Sequence, residues 1–279
     1  MVLSLTREPM SPAHPTKNKT SEKSGIEKPF GIVIVAYYAE KTIRDLLQRI
    51  PVEIRNTAKE IILLDDASTD GTTHVAEEVK KELGLKNLTI IHNEKNLGYG
   101  GNQKKGYQLA MQNGCEYMVM LHGDAQYGPE EIPALLQLLR TDAYGMVFGS
   151  RMSGRPLEGG MPLWKFMGNK FLTVYANFML GERLTEYHSG FRGYSAAALK
   201  KVDWSHCSDG FVFDTDIVLE LKRLHEKFAE VTIPTHYGPE SRQIQVIPVF
   251  KYGLQIMKRT TRYALGPKTR EPAGLNQKS

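Results

Sequence analysis

The stretch Met118-Val119-Met120-Leu121-His122-Gly123-Asp124-Ala125-Gln126-Tyr127 constrains the fold more than any other. A short apolar run meets Gly, Asp and Gln, and Gly128-Pro129-Glu130-Glu131 then opens a new helix. Such a run, stopped by polar residues and Gly/Pro, reads as a buried strand ending at a loop. In an open α/β sheet, ligands bind beyond the carboxyl ends of the strands. Asp124 therefore stands where a hard cation or a diphosphate would be held. Asp124 and Gln126 are two residues apart, so an extended chain would point both the same way. Two oxygen donors on one side suit Mg2+, which takes few protein ligands and completes its shell with substrate phosphate and water. A capping Asp in an ordinary strand-to-helix loop accounts for the same residues.

The rest of the chain alternates strand and helix patterns. Residues 30–36 form a continuous apolar run of the kind buried on both faces of a parallel sheet. A helix is expected over 40–50, ended by Pro51, then a strand over 60–66 and a helix from 72 to about 83. A short strand at 88–92 precedes a Gly-rich loop, 98–101, that opens a helix over 102–113. Further strands are expected at 117–122, 144–149, 191–194 and 228–233, with helices at about 130–140, 164–180, 215–224 and 250–264. Gly181 is placed to end the long helix. Alternation of this kind implies βαβ units and a mostly parallel sheet flanked by helices. Residues 1–28, rich in Ser, Thr, Pro and Lys, read as a disordered tail before a single domain over 29–245. Residues 246–279 read as a basic amphipathic helix with a frayed end.

Charge separates the segments. Residues 1–28 are net +2, residues 251–279 are net +6, and the remainder is net −3. The basicity belongs to the ends, so the core offers no reason to invoke nucleic acid. Cys115 and Cys207 form no C-x-x-C pair, which suits a reducing, cytoplasmic setting. No run of about 18 apolar residues is present to span a membrane, and no signal-peptide block opens the chain.

Asp65-Asp66 and Asp124 each end a strand of the parallel kind, which gathers carboxylates on one rim of the sheet. With Ile32-Val33-Ile34-Val35-Ala36-Tyr37, Leu63-Leu64-Asp65-Asp66-Ala67-Ser68-Thr69-Asp70-Gly71-Thr72, Asn96-Leu97-Gly98-Tyr99-Gly100-Gly101-Asn102, Gly149-Ser150-Arg151 and Ser189-Gly190-Phe191-Arg192-Gly193-Tyr194, the order and spacing resemble the family 2 inverting glycosyltransferases. The similarity is strongest to the polyprenyl-phosphate (dolichyl-phosphate) mannose and glucose synthases. It covers about residues 30–245 and implies a GT-A fold.

The resemblance implies a nucleotide-sugar pocket lined by Val35, Ala36 and Tyr37, with Leu64 and Asp66 at the base and ribose. Asp65 would face inward and fix the loop. Gly123 and Asp124 would meet the ribose and a diphosphate bound to Mg2+ or Mn2+, with Gln126 as second metal ligand. Arg151 would approach a phosphate, which a guanidinium fork matches. His236 and Arg242 would flank a late loop over the donor. Asp216 would be the base if the acceptor were a hydroxyl, with Asp214 as helix cap. A lipid phosphate acceptor would need positioning more than a base, because its second pKa is about 6.

The chain departs from the family pattern at His122, where most relatives have Asp, and at Val35, Tyr38 and Ala39 in place of Pro, Asn and Glu. His122 can still bond a ribose or ligate a metal as neutral imidazole. Glu40 falls one residue late and should point elsewhere. The departures leave transfer to a saccharide or protein hydroxyl, or nucleotide-sugar binding without catalysis, as alternatives. The last helix interleaves apolar residues with Lys251, Lys258, Arg259 and Arg262. Such a segment either lies on an anionic membrane surface, at the cytoplasmic face, or packs on the domain with a solvated basic side.

Overall fold

The computed structural model describes residues 28–234 and 246–266. Seven strands form one sheet among these residues: β1 Phe30–Ala36, β2 Glu60–Asp65, β3 Leu88–His92, β4 Tyr117–His122, β5 Met146–Ser150, β6 Arg192–Ser195 and β7 Phe228–Thr232. Their order is β3-β2-β1-β4-β6-β5-β7. All run parallel except β6, which pairs antiparallel with both β4 and β5. The mostly parallel sheet flanked by helices is as the sequence implies.

The helices are α1 Ile43–Arg49, α2 Val52–Thr57, α3 Thr72–Glu82, α4 Tyr99–Gln112, α5 Ile132–Leu139, α6 Leu163–Leu180, α7 Ala196–Leu199, α8 Phe213–Arg223 and α9 Val246–Leu265. The period-two alternation of β1 divides the core. Ile32 and Ile34 join a cluster with Leu46, Leu63 and Leu136 on one face. Val33 and Val35 join Tyr107, Met120 and Phe213 on the other. Both faces of β1 are dry, so the strand reads as an unbroken apolar run.

Several boundaries differ from expectation for physical reasons. The first helix starts at Ile43, not at 40. Pro51 ends it and also starts α2, since the missing N–H and fixed φ of proline cost nothing at a helix start. The 98–101 segment is not a loop: Tyr99, Gly100 and Gly101 form the first turn of α4. Glycine is needed at 100 because a Cβ there would lie 2.3 Å from the Ser208 carbonyl and 2.5 Å from Phe213 Cβ. The turn's amides are already engaged, Gly100 and Gly101 N–H both donating to the Asp209 carbonyl at 2.7 and 3.1 Å. Gly181 ends α6 in the left-handed region, φ 65°, as expected. The last helix begins at Val246 rather than 250.

That last helix packs against the domain. Ile256 and Thr260 are buried, Tyr175 of α6 donates to the Met257 carbonyl at 3.3 Å, and Arg259 pairs with Asp216 of α8 at 2.6 Å. Residues 1–27 of the expected 1–28 tail, and the whole of the expected late loop over 236–242, lie outside the described residues.

Two glycines test the packing. At Gly106 a Cβ would lie 2.4 Å from Val33 Cγ1 and 3.0 Å from Leu64 Cδ1. Gly106→Ala should lower the unfolding free energy, because overpacking costs about 1–3 kcal/mol against about 1 kcal/mol of helix propensity. At Gly168 in α6 a Cβ meets nothing within 4 Å. Gly168→Ala should raise stability by up to about 1 kcal/mol. Urea denaturation of both variants checks the pair.

Candidate active site at the carboxyl edge of the sheet

The carboxyl ends of β1, β2 and β4 are neighbours in the sheet. Beyond each, the chain turns through a non-glycine residue with positive φ: Tyr38 (53°), Ala67 (60°) and Ala125 (54°). Such conformations persist where the surroundings over-determine them. At Tyr38 and Ala67 the polar residues of 65–72 do so. Ser68 Oγ donates to Asp65 in a short bond and accepts from the Tyr38 N–H at 2.8 Å. Thr72 Oγ1 donates to Asp70 at 2.6 Å and accepts from the Ala39 N–H at 2.8 Å. Each hydroxyl ties the loop after β1 to an Asp at the end of β2 or just beyond it.

Asp65 is 1% exposed and also meets His92 Nδ1 at 2.7 Å, so it fixes the loop as expected. Asp66 is buried too. It accepts from the N–H groups of Leu97 and Gly98 at 2.8 and 3.0 Å and from Asn93 Nδ2 at 3.0 Å. Its carboxylate is therefore committed to the loop before α4, where a contact with the ribose was expected. Leu64 is 0% exposed in the core, and its carbonyl accepts from Asn102 Nδ2 at 3.0 Å. The strand pleat turns it towards α4, so its side chain cannot touch a base. Val35 and Ala36 are buried beside it, whereas Tyr37 is half-exposed and edge-on to Tyr38 at 4.5 Å. Glu40 lies over Gly71, and its N–H donates to Asp70 at 3.3 Å.

At the end of β4, Gly123 lacks room for a side chain: a Cβ would lie 3.0 Å from that of Ala36. Its N–H donates to the Val35 carbonyl at 2.8 Å, and its carbonyl accepts from Thr42 Oγ1 at 2.7 Å. Asp124 follows, part-exposed, with Oδ1 accepting from the Gln126 N–H at 3.1 Å. The chain is not extended here, because Ala125 is left-handed. The alternation that placed the Asp124 and Gln126 side chains on one side does not apply. A single carboxylate at a strand end suits a cation that takes few protein ligands, and no cluster of three or more His, Cys, Asp or Glu among the described residues offers a fuller cage. Asp124 thus fits Mg2+ or Mn2+ that is completed by substrate oxygens.

His122 carries a connection that the sequence did not reveal. Its Nε2 lies 3.0 Å from Tyr99 Oη, which donates to Asp214 Oδ2 at 2.9 Å. Asp214 pairs with Arg192 at 3.2 Å, and Arg192 is wholly buried, donating to the Ser189, Asp214 and Tyr187 carbonyls. Because a carboxylate only accepts, Tyr99 gives its proton to Asp214, and His122 must donate through Nε2. Burial lowers the His122 pKa below its usual value despite the nearby carboxylates. The imidazole is neutral at pH 7, with Nδ1 as its acceptor. Gly190 packs on the Nε2 edge, where a Cβ would lie 2.4 Å from the ring.

Asp214 is not the helix cap, since α8 starts without a side-chain cap. Asp216 is 4% exposed and holds Ser208 N–H at 2.9 Å and Arg259 at 2.6 Å. Both of its oxygens are engaged, and burial raises its pKa. Of the two acids, Asp214 is the one connected to His122. Arg151 is 9% exposed and forks onto Glu186. Burial would raise the Glu186 pKa, but Arg151 holds it below the usual range. Arg151 also lies over the Tyr127 ring at 5.6 Å. Tyr252 of α9 is close enough to Asp214 and Asp216 for its pKa to rise, chiefly through burial. Tyr99, Arg192, Glu186, Asp214 and Tyr252 were absent from the expected site, because they come from four separate segments of the chain. His236 and Arg242 lie outside the described residues.

Part-buried histidines set a pH dependence. His188 is also lowered by burial, to about 4. In the unfolded chain both histidines protonate near the usual 6.5, so between about pH 6.5 and 4 the unfolded state binds more protons. Stability is complete above pH 6.5 and falls with pH, by about 3 kcal/mol at pH 4 for His188 alone. Denaturation at pH 7, 5.5 and 4.5 should show this fall, and His188→Asn should flatten it.

Comparison with known proteins agrees with the geometry. Residues 31–203 match the model of "Glycosyl transferase family 2". The undecaprenyl-phosphate mannosyltransferase of Micrococcus luteus is 29% identical over 62% of this chain and 70% of its own. The UDP-N-acetylglucosamine–dolichyl-phosphate N-acetylglucosaminyltransferase of Methanococcus voltae is 27% identical over 81% of this chain and 95% of its own. Glucosyl-3-phosphoglycerate synthase from Mycobacterium tuberculosis, solved with Mn2+, UDP and phosphoglyceric acid, superposes with a TM-score of 0.64 at 19% identity. The match covers 86% of this chain and 80% of that one, and establishes the GT-A fold. A rim of buried carboxylates, Asp124 at the end of β4 and a family match over most of the domain lead to one assignment: the chain belongs to glycosyl transferase family 2.

Proposed function

We propose that the protein transfers a hexose from a nucleotide-sugar of the GDP-mannose or UDP-glucose class to a polyprenyl phosphate, with inversion at the anomeric carbon. The observation that carries this is the part-exposed Asp124 carboxylate beside a neutral His122 at the carboxyl end of β4. Asp124 would hold a divalent cation, which when bound would supply charge neutralisation for the leaving diphosphate. His122 Nδ1 accepts a hydrogen bond from the donor's ribose, a role that a neutral imidazole fills where relatives have Asp. Tyr37 lies against the nucleoside. Arg151, oriented by Glu186, faces phosphate.

The acceptor attacks from the face opposite the diphosphate. A phosphate monoester is already anionic near neutral pH and needs no side-chain base. That agrees with Asp216 having both oxygens occupied and Asp214 being tied to Tyr99 and Arg192. A hydroxyl acceptor would require one of these to be released. The named substrates of the similar Micrococcus luteus and Methanococcus voltae proteins support a lipid phosphate. Among the described residues no helix is long and apolar enough to cross a membrane. Peripheral attachment to an anionic membrane surface, at its cytoplasmic face, accords with the net +6 charge of 251–279.

Asp124→Asn should reduce metal-dependent transfer at least a hundredfold with an unchanged melting temperature; wild-type turnover would remove the metal from Asp124. A thermal-shift panel of nucleotide-sugars with Mg2+ or Mn2+ identifies the donor. A ligand at 100 times its Kd should add about 2.7 kcal/mol.

A further inference from the structure

Helix α6 presents Trp164, Met167, Phe171, Val174 and Phe178 to solvent. Their spacing of three, four, three and four residues makes one continuous stripe. Phe171 is 61% and Phe178 83% exposed. The opposite side of α6 accounts for its folding: Asn169, Thr173, Ala176 and Leu180 are buried against the domain. Five large apolar side chains in a row are far more than scattered surface residues, and a patch of that kind marks a docking surface.

The stripe has a neighbour of matching character. Helix α9 packs beside α6 through Tyr175, which meets the Met257 carbonyl and Thr261. With Ile256 and Thr260 turned inward, α9 exposes Leu254, Lys258, Arg262 and Leu265. Basic and apolar groups therefore lie side by side on two packed helices. From sequence, the last helix either lies on a membrane surface or packs on the domain. In the structure it packs through Ile256 while Leu254 and Leu265 stay exposed, and the larger exposed apolar surface belongs to α6.

We infer that the α6 stripe, with the exposed basic side of α9, is the face that seats the protein on an anionic lipid bilayer. The argument for lipid over a second copy of this chain is charge. Helix α6 contains no acidic residue, and its exposed lysine is Lys170, Lys165 being turned towards Arg151 and Glu186, so two copies paired along the stripe would oppose Lys170 without a carboxylate. Pairing of coiled-coil seams relies on complementary flanking charges. An anionic headgroup layer complements Lys170, Lys258 and Arg262 together, while Trp164 and the phenylalanines enter the acyl boundary. The purpose of this docking rests on the lipid-acceptor reading, but binding is measured without substrate, so the two can fail separately.

The test uses the full chain and vesicles of phosphatidylcholine with or without phosphatidylglycerol, in a sedimentation assay. Wild-type protein should bind the anionic vesicles and be released by high salt. Phe171→Ser/Phe178→Ser should lose at least tenfold in vesicle partitioning, with an unchanged melting temperature, because both side chains are already exposed. Lys258→Glu/Arg262→Glu should weaken binding to anionic vesicles by a similar factor. Absence of wild-type binding, or full binding by the Phe171→Ser/Phe178→Ser variant, overturns the inference. So does a wild-type dimer in analytical ultracentrifugation that the same variant makes monomeric, which would assign the stripe to a second copy. Donor hydrolysis in solution by the vesicle-negative variant keeps the transferase reading separate.

Discussion

Two adjacent buried carboxylates, Asp65 and Asp66, set the geometry on which the rest of the rim depends. An unpaired charge in that position would cost several kcal/mol, so each must collect donors. Asp65 collects Ser68 and His92, and Asp66 collects two backbone amides and Asn93. The donors come from the loops that must be held still. Satisfying the charges and shaping the rim are therefore one event, and three left-handed non-glycine residues persist beside it.

A second buried network acts on the other side of β4. Arg192, wholly enclosed, is compensated by Asp214 and three carbonyls. Through Tyr99 it reaches His122. The insertion of antiparallel β6 between β4 and β5 makes this possible, because it brings Arg192 alongside Met120, two residues before His122. The substitution of His for the acid common in relatives thus comes with its own hydrogen-bonded support. Removing a negative charge from the rim leaves Asp124 as the charged group at the end of that strand.

The two outer helices divide their labour differently from the first expectation. Helix α9 is amphipathic in sequence, and its apolar side contributes Ile256 to the packing against the domain. Helix α6 has many apolar residues, interrupted by Lys165, Asn169, Lys170, Thr173 and Asn177. It is buried on one side only, a distribution visible only once its neighbours are in place.

Element type and order were legible from sequence, because a continuous apolar strand and a 3.6-residue helical stripe leave distinct local patterns. β1 and β3 have the expected bounds. So was the clustering of acids on one edge, since parallel strands end on the same side. The partners of those acids were not legible. Asp66, expected at a ribose, takes its donors from the loop before α4; Asp216, expected as the base if the acceptor were a hydroxyl, holds Arg259; and between Asp124 and Gln126 the chain turns at left-handed Ala125. Periodicity reports which way a side chain points within one element, whereas a hydrogen bond needs two elements at a known distance. Tyr99 and Asp214 are 115 residues apart, and only the tertiary structure, by laying α4 and α8 against the end of β4, could join them to His122.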